Sequence, residues 1–412
     1  MNRLSRRSFL TSAVVSAGAL ALTSCASGAS GSSAQGDAHI ALVVPLSGLF
    51  ARQGTLSREG AEMARDEINA NGGIKALGGA KIRLDVSDAG ETVESAVSAA
   101  NHAFAGRKLS GGIGSYLSSM TLGVTEVSER HRLPWLTESY ADTITDRGFH
   151  YVYQTSSLSS QQAAIGLARY KALAASKGVH IKRIALVGDN TASSKIFFQV
   201  VRENLAAKLG MKVVASEIWT PPLSDASSIA QRLRSAKPDL IVYSATNFSD
   251  SSQILRASKQ FGVTAPILGN GAWLTVPEYA KNLGAGELEG ISAIVAAFPL
   301  KNGTELDKRF RARTGEPYMT QDSLAAYYHV WLFKEAMEKA KSTDPQKINE
   351  ALKSLDLTTG PAARNMAGGR VRFDDKGRRM DASPVIVQWQ GGRPRSVWPA
   401  AEAVAKFKSP RR

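Results

Sequence analysis

The hydrophobic positions of this chain form short runs that alternate with segments of helical spacing. The first run, residues 40–44, is apolar at every position, which is typical of a parallel strand buried on both faces. The next segment, residues 57–71, places Ala61, Ala64 and Ile68 at helical spacing and stops at two glycines. We therefore expect a strand followed by a helix where the folded chain begins.

The same alternation continues through two similar stretches of sequence. In the first, the predicted strands are residues 40–44, 81–86, 110–113 and 133–136, and the helices are 57–71, 92–104 and 120–131. In the second, the predicted strands are residues 183–188, 213–215, 240–243 and 267–269, and the helices are 195–209, 226–235 and 251–261. This pattern predicts an α/β protein with two doubly wound parallel-sheet units.

The last part of the chain departs from this alternation. After residue 291 we expect one more strand, long helices at 323–341 and 345–355, and a short β region at 370–373 and 385–389. A length of 412 residues suits two or three domains.

The charge of the chain is strongly basic, with 51 Lys and Arg against 36 Asp and Glu. The basic residues form no stripe interleaved with aromatic residues, so we expect no binding to nucleic acid. A solvated basic surface is the simplest interpretation, and attraction to an anionic membrane is the functional alternative.

The first residues have the features of an export signal. Residues 5–10 resemble the twin-arginine signature, and the apolar stretch 11–22 is too short to span a membrane. Residues 22–25 resemble a lipobox that ends in Cys25, the only cysteine of the chain. We expect residues 1–24 to be a signal peptide and Cys25 to carry a lipid that anchors the exported protein. Residues 25–37, which are rich in Gly, Ser and Ala, are expected to form a flexible tether.

Motifs of enzyme chemistry are lacking in the sequence. The six histidines are scattered without metal-ligand spacing, and neither a nucleophile elbow nor a P-loop occurs. We therefore expect a protein that is not an enzyme and that needs no metal or cofactor.

Polar loops follow several of the predicted strands. Open α/β sheets bind ligands at the carboxyl ends of their strands, which is the position of these loops. They are residues 114–121, 138–142, 188–194, 246–249 and 269–273. In the first loop, serine hydroxyls stand beside the start of a helix, an arrangement that favours an anion; capping of the helix by Ser118 or Ser119 is the structural alternative.

Several short motifs occur along the chain at residues 45–48, 68–74, 118–121, 133–134, 144–148, 151–155, 238–241 and 288–290. In their order and spacing they resemble the branched-chain amino-acid binding family of type I periplasmic solute-binding proteins. The resemblance implies two lobes that close on a ligand and three crossovers near residues 155–158, 292–298 and 370–385. The implied lobes are residues 38–156 with 297–370, and residues 157–296 with 371–412.

The resemblance also implies a role for particular residues. Ser118 matches the serine that binds the ligand carboxylate, and Ser139 and Tyr140 match the next carboxylate-holding loop. The complete set of expected ligand-binding residues is Gln53, Tyr116, Ser118, Ser119, Ser139, Tyr140, Ser193, Asn247, Asn270 and Gly271. Trp273 is expected either to offer aromatic surface or to pack within its lobe.

One departure from the family bears on the ligand. The acidic residue that accepts the ligand ammonium is expected near Gly271, which has no side chain to do so. Because an unpaired buried ammonium is costly, we expect a carboxylate without an α-ammonium to bind better than an amino acid. If an amino acid binds more tightly, Glu138 and Asp250, which flank two of the polar loops, are the alternative partners of its ammonium.

The expected function is that of a monomeric binding protein for an ABC importer, which takes an amino acid, an aromatic acid or another small carboxylate to the permease. A receptor that reports ligand to a membrane signalling partner is the alternative.

Overall fold

The computed structural model describes residues 36–410. The predicted signal peptide, Cys25 and nearly all of the predicted tether lie outside these residues. Within the described range, no helix is long and apolar enough to cross a membrane.

Twelve strands are present in the described chain. They are β1 (Ala38–Val44), β2 (Ile82–Asp88), β3 (Gly111–Gly114), β4 (Trp135–Thr137), β5 (Val152–Gln154), β6 (Arg183–Asp189), β7 (Lys212–Trp219), β8 (Leu240–Ser244), β9 (Ile267–Asn270), β10 (Ser292–Val295), β11 (Val385–Gln390) and β12 (Arg393–Trp398).

The helices lie between and after these strands. They are α1 (Ala51–Ala70), α2 (Val93–Gly106), α3 (Ser118–Arg130), α4 (Ser159–Gln161), α5 (Ala168–Ala175), α6 (Ala192–Val200), α7 (Ala206–Lys208), α8 (Ser227–Ala236), α9 (Phe248–Gln260), α10 (Glu278–Leu283), α11 (Ala285–Leu288), α12 (Thr304–Thr314), α13 (Gln321–Ala340), α14 (Pro345–Lys353) and α15 (Gly360–Asn365).

The strands form two sheets with a shared topology. The first is parallel throughout and has the order β2-β1-β3-β4-β5. The second repeats this order in β7-β6-β8-β9-β10, again parallel, and adds β11 and β12 as an antiparallel pair at its edge. The prediction of two doubly wound parallel-sheet units is thus confirmed, and the carboxyl ends of the inner strands mark the expected binding edge of each sheet.

Some predicted elements differ from the structure. Residues 370–373 make only isolated bridges, and the hairpin partner of β11 is instead β12. Helix α1 begins six residues earlier than predicted, and α6 begins at Ala192, so that Ser193 lies in a first helical turn rather than in a loop.

Each sheet has its own hydrophobic core. Helices α1 and α13 pack together against the first sheet, and residues from α12 and α14 complete this core. Val371 and Phe373, which the predicted boundaries assign to the second lobe, pack instead into this first core. Two further clusters cover the two faces of the second sheet. We call the two sheets with their helices the first and second lobes.

The two lobes contact each other directly. Leu56 of α1 packs into the core of the second lobe. Arg52, also on α1, pairs with Glu278 of α10 at 2.6 Å, and the Tyr318 hydroxyl donates to the Thr275 carbonyl at 2.8 Å. The structure therefore shows the lobes in a closed arrangement.

Candidate ligand-binding site

A small cavity of about 50 Å³ lies between the lobes, where the carboxyl ends of the two sheets face each other. The first lobe contributes the loops after β3 and β4 and the start of α13. The second lobe contributes the start of α6 and the segments after β8 and β9. The position matches the crevice at which doubly wound sheets bind ligands.

Most of the residues proposed from the sequence meet at this cavity. The lining includes Tyr116, Ser118, Ser139, Tyr140, Ser193, Asn270 and Gly271. Trp273 also lines it, and the same side chain packs against Tyr243 with ring centroids 4.7 Å apart. Both roles expected for Trp273, aromatic surface and packing, are therefore compatible with its position.

Three proposed residues do not line the cavity. Gln53 is buried within α1. Asn247 is the N-cap of α9, where its side chain accepts from the Asp250 N–H at 2.8 Å. Ser119 is not part of the lining, although its neighbour Ser118 is. The expectation that these three side chains lie at the cavity is therefore not met in this structure.

Ser118 has a hydroxyl arranged to donate into the cavity. It is the first residue of α3, and the N-cap before it is Leu117, whose side chain makes no cap hydrogen bond. The Ser118 Oγ accepts from the backbone N–H groups of Tyr140 and Ala141, at 3.2 and 3.1 Å. The hydroxyl hydrogen remains free to donate, beside the N–H groups of the first helical turn, which have no partner within the helix.

Tyr116 joins the two lobes across the cavity. Its hydroxyl donates to the Thr246 carbonyl of the second lobe at 2.8 Å, and its own carbonyl accepts from the Ser139 hydroxyl at 2.8 Å. The backbone of Tyr116 has a φ of 64°, a conformation that is costly for a residue with a side chain. These two hydrogen bonds hold it there.

Gly271 allows aromatic side chains to close over the cavity. Its φ is 107°, and a Cβ at this position would lie 2.9 Å from the Trp273 ring and 3.6 Å from the Tyr140 ring. A larger residue is therefore excluded both by backbone conformation and by space. An acidic side chain cannot replace Gly271 without displacing Trp273.

Two carboxyl groups nevertheless line the cavity, and both come from the first lobe. Glu138 follows β4 and Asp322 is the second residue of α13; their exposed fractions are 9% and 1%. Glu138 is one of the two alternative partners named from the sequence; Asp250, the other, does not line the cavity. Among the described residues that line the cavity, none is Lys, Arg or His.

Burial strongly affects both carboxyl groups. It raises the pKa of Asp322 to about 7, against the opposing effects of its own backbone N–H and of Arg52. Burial, and then the charge of Asp322, raise the pKa of Glu138 well above its usual range, while the Gln321 amide opposes the change. Asp322 can therefore gain or lose a proton near neutral pH, and the environment of Glu138 favours its protonated form.

Gln321 connects this carboxyl pair to the chain between the lobes. Its amide nitrogen donates to Glu138 at 3.1 Å, and its Oε1 accepts from the Tyr140 hydroxyl at 2.6 Å. The same Oε1 accepts from the backbone N–H of Ala296 at 2.8 Å, immediately after β10. One side chain thus orients two cavity residues and a crossover segment.

Glu138 could be named from the sequence, because it lies in one of the proposed polar loops, next to Ser139. The sequence contains only a weak signal for Gln321 and Asp322. Gln321 and Asp322 begin a helix whose predicted start is two residues later, and an acidic residue in a first helical turn is commonplace. Within residues 36–410, no group of three His, Cys, Asp or Glu side chains could hold a metal ion.

Curated relatives match nearly the whole chain. A Leu/Ile/Val-binding protein homolog 7 from Brucella melitensis biotype 1 is 27% identical over 403 residues, which cover 95% of this chain and 98% of the relative. Homolog 8 from the same organism is 26% identical over 383 residues, 90% of this chain and 93% of the relative.

Solved structures share the fold at lower identity. The branched-chain amino acid transporter substrate-binding protein LivJ from Streptococcus pneumoniae, in complex with isoleucine, has a TM-score of 0.75 and 22% identity, covering 89% of this chain and 99% of that one. An ABC transporter solute-binding protein from R. palustris, in complex with benzoate, has a TM-score of 0.74 and 17% identity, covering 91% and 99%. These likenesses confirm the predicted type I periplasmic binding protein fold.

A family model described as periplasmic binding protein matches residues 37–393. Members of this family bind solutes and are not enzymes, which confirms the expectation that this chain is not an enzyme. With most of its length matched, and with the predicted fold confirmed, the chain belongs to the periplasmic binding protein family.

Proposed function

We propose that this protein is the extracytoplasmic substrate-binding lipoprotein of an ABC importer, and that it binds an amino acid or a related small carboxylate between its lobes. The observation that carries this proposal is the interlobe cavity, at which the free hydroxyl of Ser118 and the start of α3 meet. Relatives named Leu/Ile/Val-binding proteins, and neighbours bound to isoleucine and benzoate, support a small carboxylate ligand.

The proposed anion subsite has three contributions. The Ser118 hydroxyl donates one hydrogen bond, the first N–H groups of α3 offer others, and the positive end of the helix dipole favours a negative charge. Tyr116 then bridges to the second lobe and would hold it closed over the ligand. The permease is proposed to recognise this closed form.

Replacement of Ser118 tests the anion subsite. We expect Ser118→Ala to weaken binding of a carboxylate ligand by about 1.5–3 kcal/mol, the usual range for a hydrogen bond to a charged group. Isothermal titration calorimetry with the ligands identified in a thermal-shift screen measures this change. Ser119→Ala is the matched control, because the Ser119 side chain lies outside the cavity lining. Equal effects of the two substitutions would contradict a specific role for Ser118.

Membership of a periplasmic binding protein family implies export from the cytoplasm. We propose in addition that the twin-arginine segment directs export and that Cys25 carries the lipid anchor, as its place after residues 22–24 indicates. The tether would then let the lobes move above the membrane and reach the permease.

Replacement of Cys25 tests the anchor. We expect Cys25→Ala to move the mature protein from the membrane fraction to the soluble fraction, since the lipid would have no attachment site. Fractionation followed by immunoblotting measures the distribution, and Ser32→Ala in the tether is the control. Continued membrane association of the Cys25→Ala protein would rule out this anchor.

A further inference from the structure

We propose that Glu138 and Asp322 form a two-carboxyl subsite that binds an ammonium group of the ligand, so that the protein selects amino compounds among small carboxylates. This inference rests on the proposed function, because it concerns the same cavity. It assigns the recognition of positive charge to the first lobe, away from the position near Gly271.

The strongest observation is the isolation of Asp322. Its side chain is 1% exposed and lines the cavity, yet neither of its oxygens has a hydrogen-bond partner on another described residue, and only its own backbone N–H lies near. Leaving a buried carboxyl without partners is costly, and an ionised one is far more so. A ligand cation in the cavity would supply the missing donors.

The nearby guanidinium of Arg52 does not serve as the hydrogen-bonded counter-ion of Asp322. Arg52 is the cation that acts on Asp322, but its guanidinium pairs with Glu278 and Glu316, each at 2.6 Å. The subsite therefore lacks a counter-ion from the described chain.

Glu138 completes the subsite and is held in a fixed orientation. The Gln321 amide donates to its Oε2 at 3.1 Å, which leaves the other oxygen available. Gln321 and Asp322 are consecutive residues at the start of α13, whose N-cap Thr320 and Ser323 form a capping box. The helix start thus fixes one carboxyl group directly and orients the other through the amide.

The second lobe offers only neutral polar groups and aromatic surface to the cavity. Ser193, Thr246 and Asn270 are uncharged, and Trp273 closes the wall with its Nε1–H already donated to the Asn270 carbonyl at 2.8 Å. The ligand would therefore place both its ammonium and its carboxylate on the first lobe, and closure of the second lobe would exclude water from them. Removal of water strengthens the attraction between the ammonium and the carboxyl pair.

Protonation of the two carboxyl groups would compete with the ligand. Because burial raises the pKa of both, lowering the pH neutralises them and should weaken binding of an ammonium. The other titratable or charged groups that act on the pair are Arg52, Tyr116, Tyr140 and Tyr328, and the tyrosines remain neutral in this range. Affinity is therefore expected to fall as the pH is lowered from about 8 to about 5.5, a window that spans the raised pKa of Asp322.

Calorimetry with matched ligands tests the proposal. The probes are alanine and leucine, the deaminated acids propionate and 4-methylpentanoate, and the decarboxylated amines ethylamine and 3-methylbutylamine. We expect an amino acid to bind at least tenfold more tightly than its deaminated acid. Asp322→Asn and Glu138→Gln should each weaken the amino acid at least tenfold, leave the deaminated acid unchanged or improved, and flatten the pH dependence.

The outcomes separate this inference from the proposed function. Deaminated acids that bind as tightly as the amino acids would overturn the ammonium subsite and leave the carboxylate function standing. Amines that bind without a carboxylate would support the subsite and contradict the carboxylate function. Failure of all six probes to bind would overturn both. The inference is also overturned if Asp322→Asn leaves the affinity for amino acids unchanged, or if the affinity of the wild type does not depend on pH. Thermal unfolding of each variant establishes that it is folded.

Discussion

Gly60→Ala is expected to lower the free energy of unfolding by about 1–3 kcal/mol, the usual cost of overpacking a well-packed core. Gly60 lies on α1, where the helix meets α13. A Cβ at this position would lie 1.9 Å from the carbonyl oxygen of Ser323 and 2.8 Å from its Cα. Both are backbone atoms, so one helix must move for the substitution to be accommodated.

The movement should also reach the cavity. Ser323 follows Gln321 and Asp322 directly, so displacing the start of α13 shifts both side chains from the lining. We therefore expect Gly60→Ala to weaken ligand binding as well. Helix propensity alone would favour alanine by up to about 1 kcal/mol, which is less than the expected cost of the clash.

Chemical denaturation followed by circular dichroism measures the loss of stability. Gly106→Ala is the matched control, because Gly106 ends α2 and a Cβ there has no atom within 4 Å. This control should be neutral or slightly stabilised, by about 0.4–1 kcal/mol. Wild-type stability and binding in the Gly60→Ala protein would show that α1 and α13 need not be in close contact.

The fold could be predicted from the sequence where burial leaves a simple pattern. Strands β1, β6 and β8 lie inside their sheets, so both faces are covered and their sequences are almost continuously apolar. Strand β12 lies at a sheet edge and contains arginine and proline, and its pairing depends on β11 rather than on its own sequence. Such a strand has no pattern that distinguishes it from a loop.

The candidate site was predictable where it follows the topology of the sheets. Ser118, Tyr140 and Asn270 follow or end inner parallel strands, and the closed lobes bring them together. Asp322 is different, because it begins a helix that returns to the first lobe after the chain has passed through the second. Its contribution depends on how α13 packs against α1, which the local sequence does not encode.

Arg379→Met is expected to lower the free energy of unfolding by about 2–4 kcal/mol, because buried acceptors would lose a charged donor. Arg379 is 4% exposed and lies in the connection between the first core and β11. Its Nε donates to the Thr155 carbonyl at 3.0 Å, and its Nη1 donates to the carbonyls of Ala367 and Arg370 at 3.0 and 3.1 Å. Its backbone N–H donates to the Gln154 carbonyl at 2.9 Å.

These contacts join two connections between the lobes. Thr155 starts the connection that leaves β5, and Arg379 belongs to the one that leads to β11. Burial lowers the pKa of Arg379, since the guanidinium is removed from water and is held by carbonyl groups rather than by a carboxylate. Methionine would remove this desolvation cost, which offsets part of the lost stability. It would also leave two buried carbonyls and one partly buried carbonyl without this donor.

A lysine at position 379 tests whether the arrangement of the guanidinium N–H donors or the positive charge alone stabilises the fold. Arg379→Lys keeps the positive charge but has a single nitrogen, which cannot reach carbonyls on both sides of the guanidinium. We therefore expect it to recover little of the lost stability in thermal and chemical unfolding. Arg232→Met is the control, because Arg232 is 54% exposed and its pair with Glu217 should contribute less than about 1 kcal/mol. If Arg379→Lys were as stable as the wild type, the positive charge rather than the several N–H donors of the guanidinium would hold the two connections together.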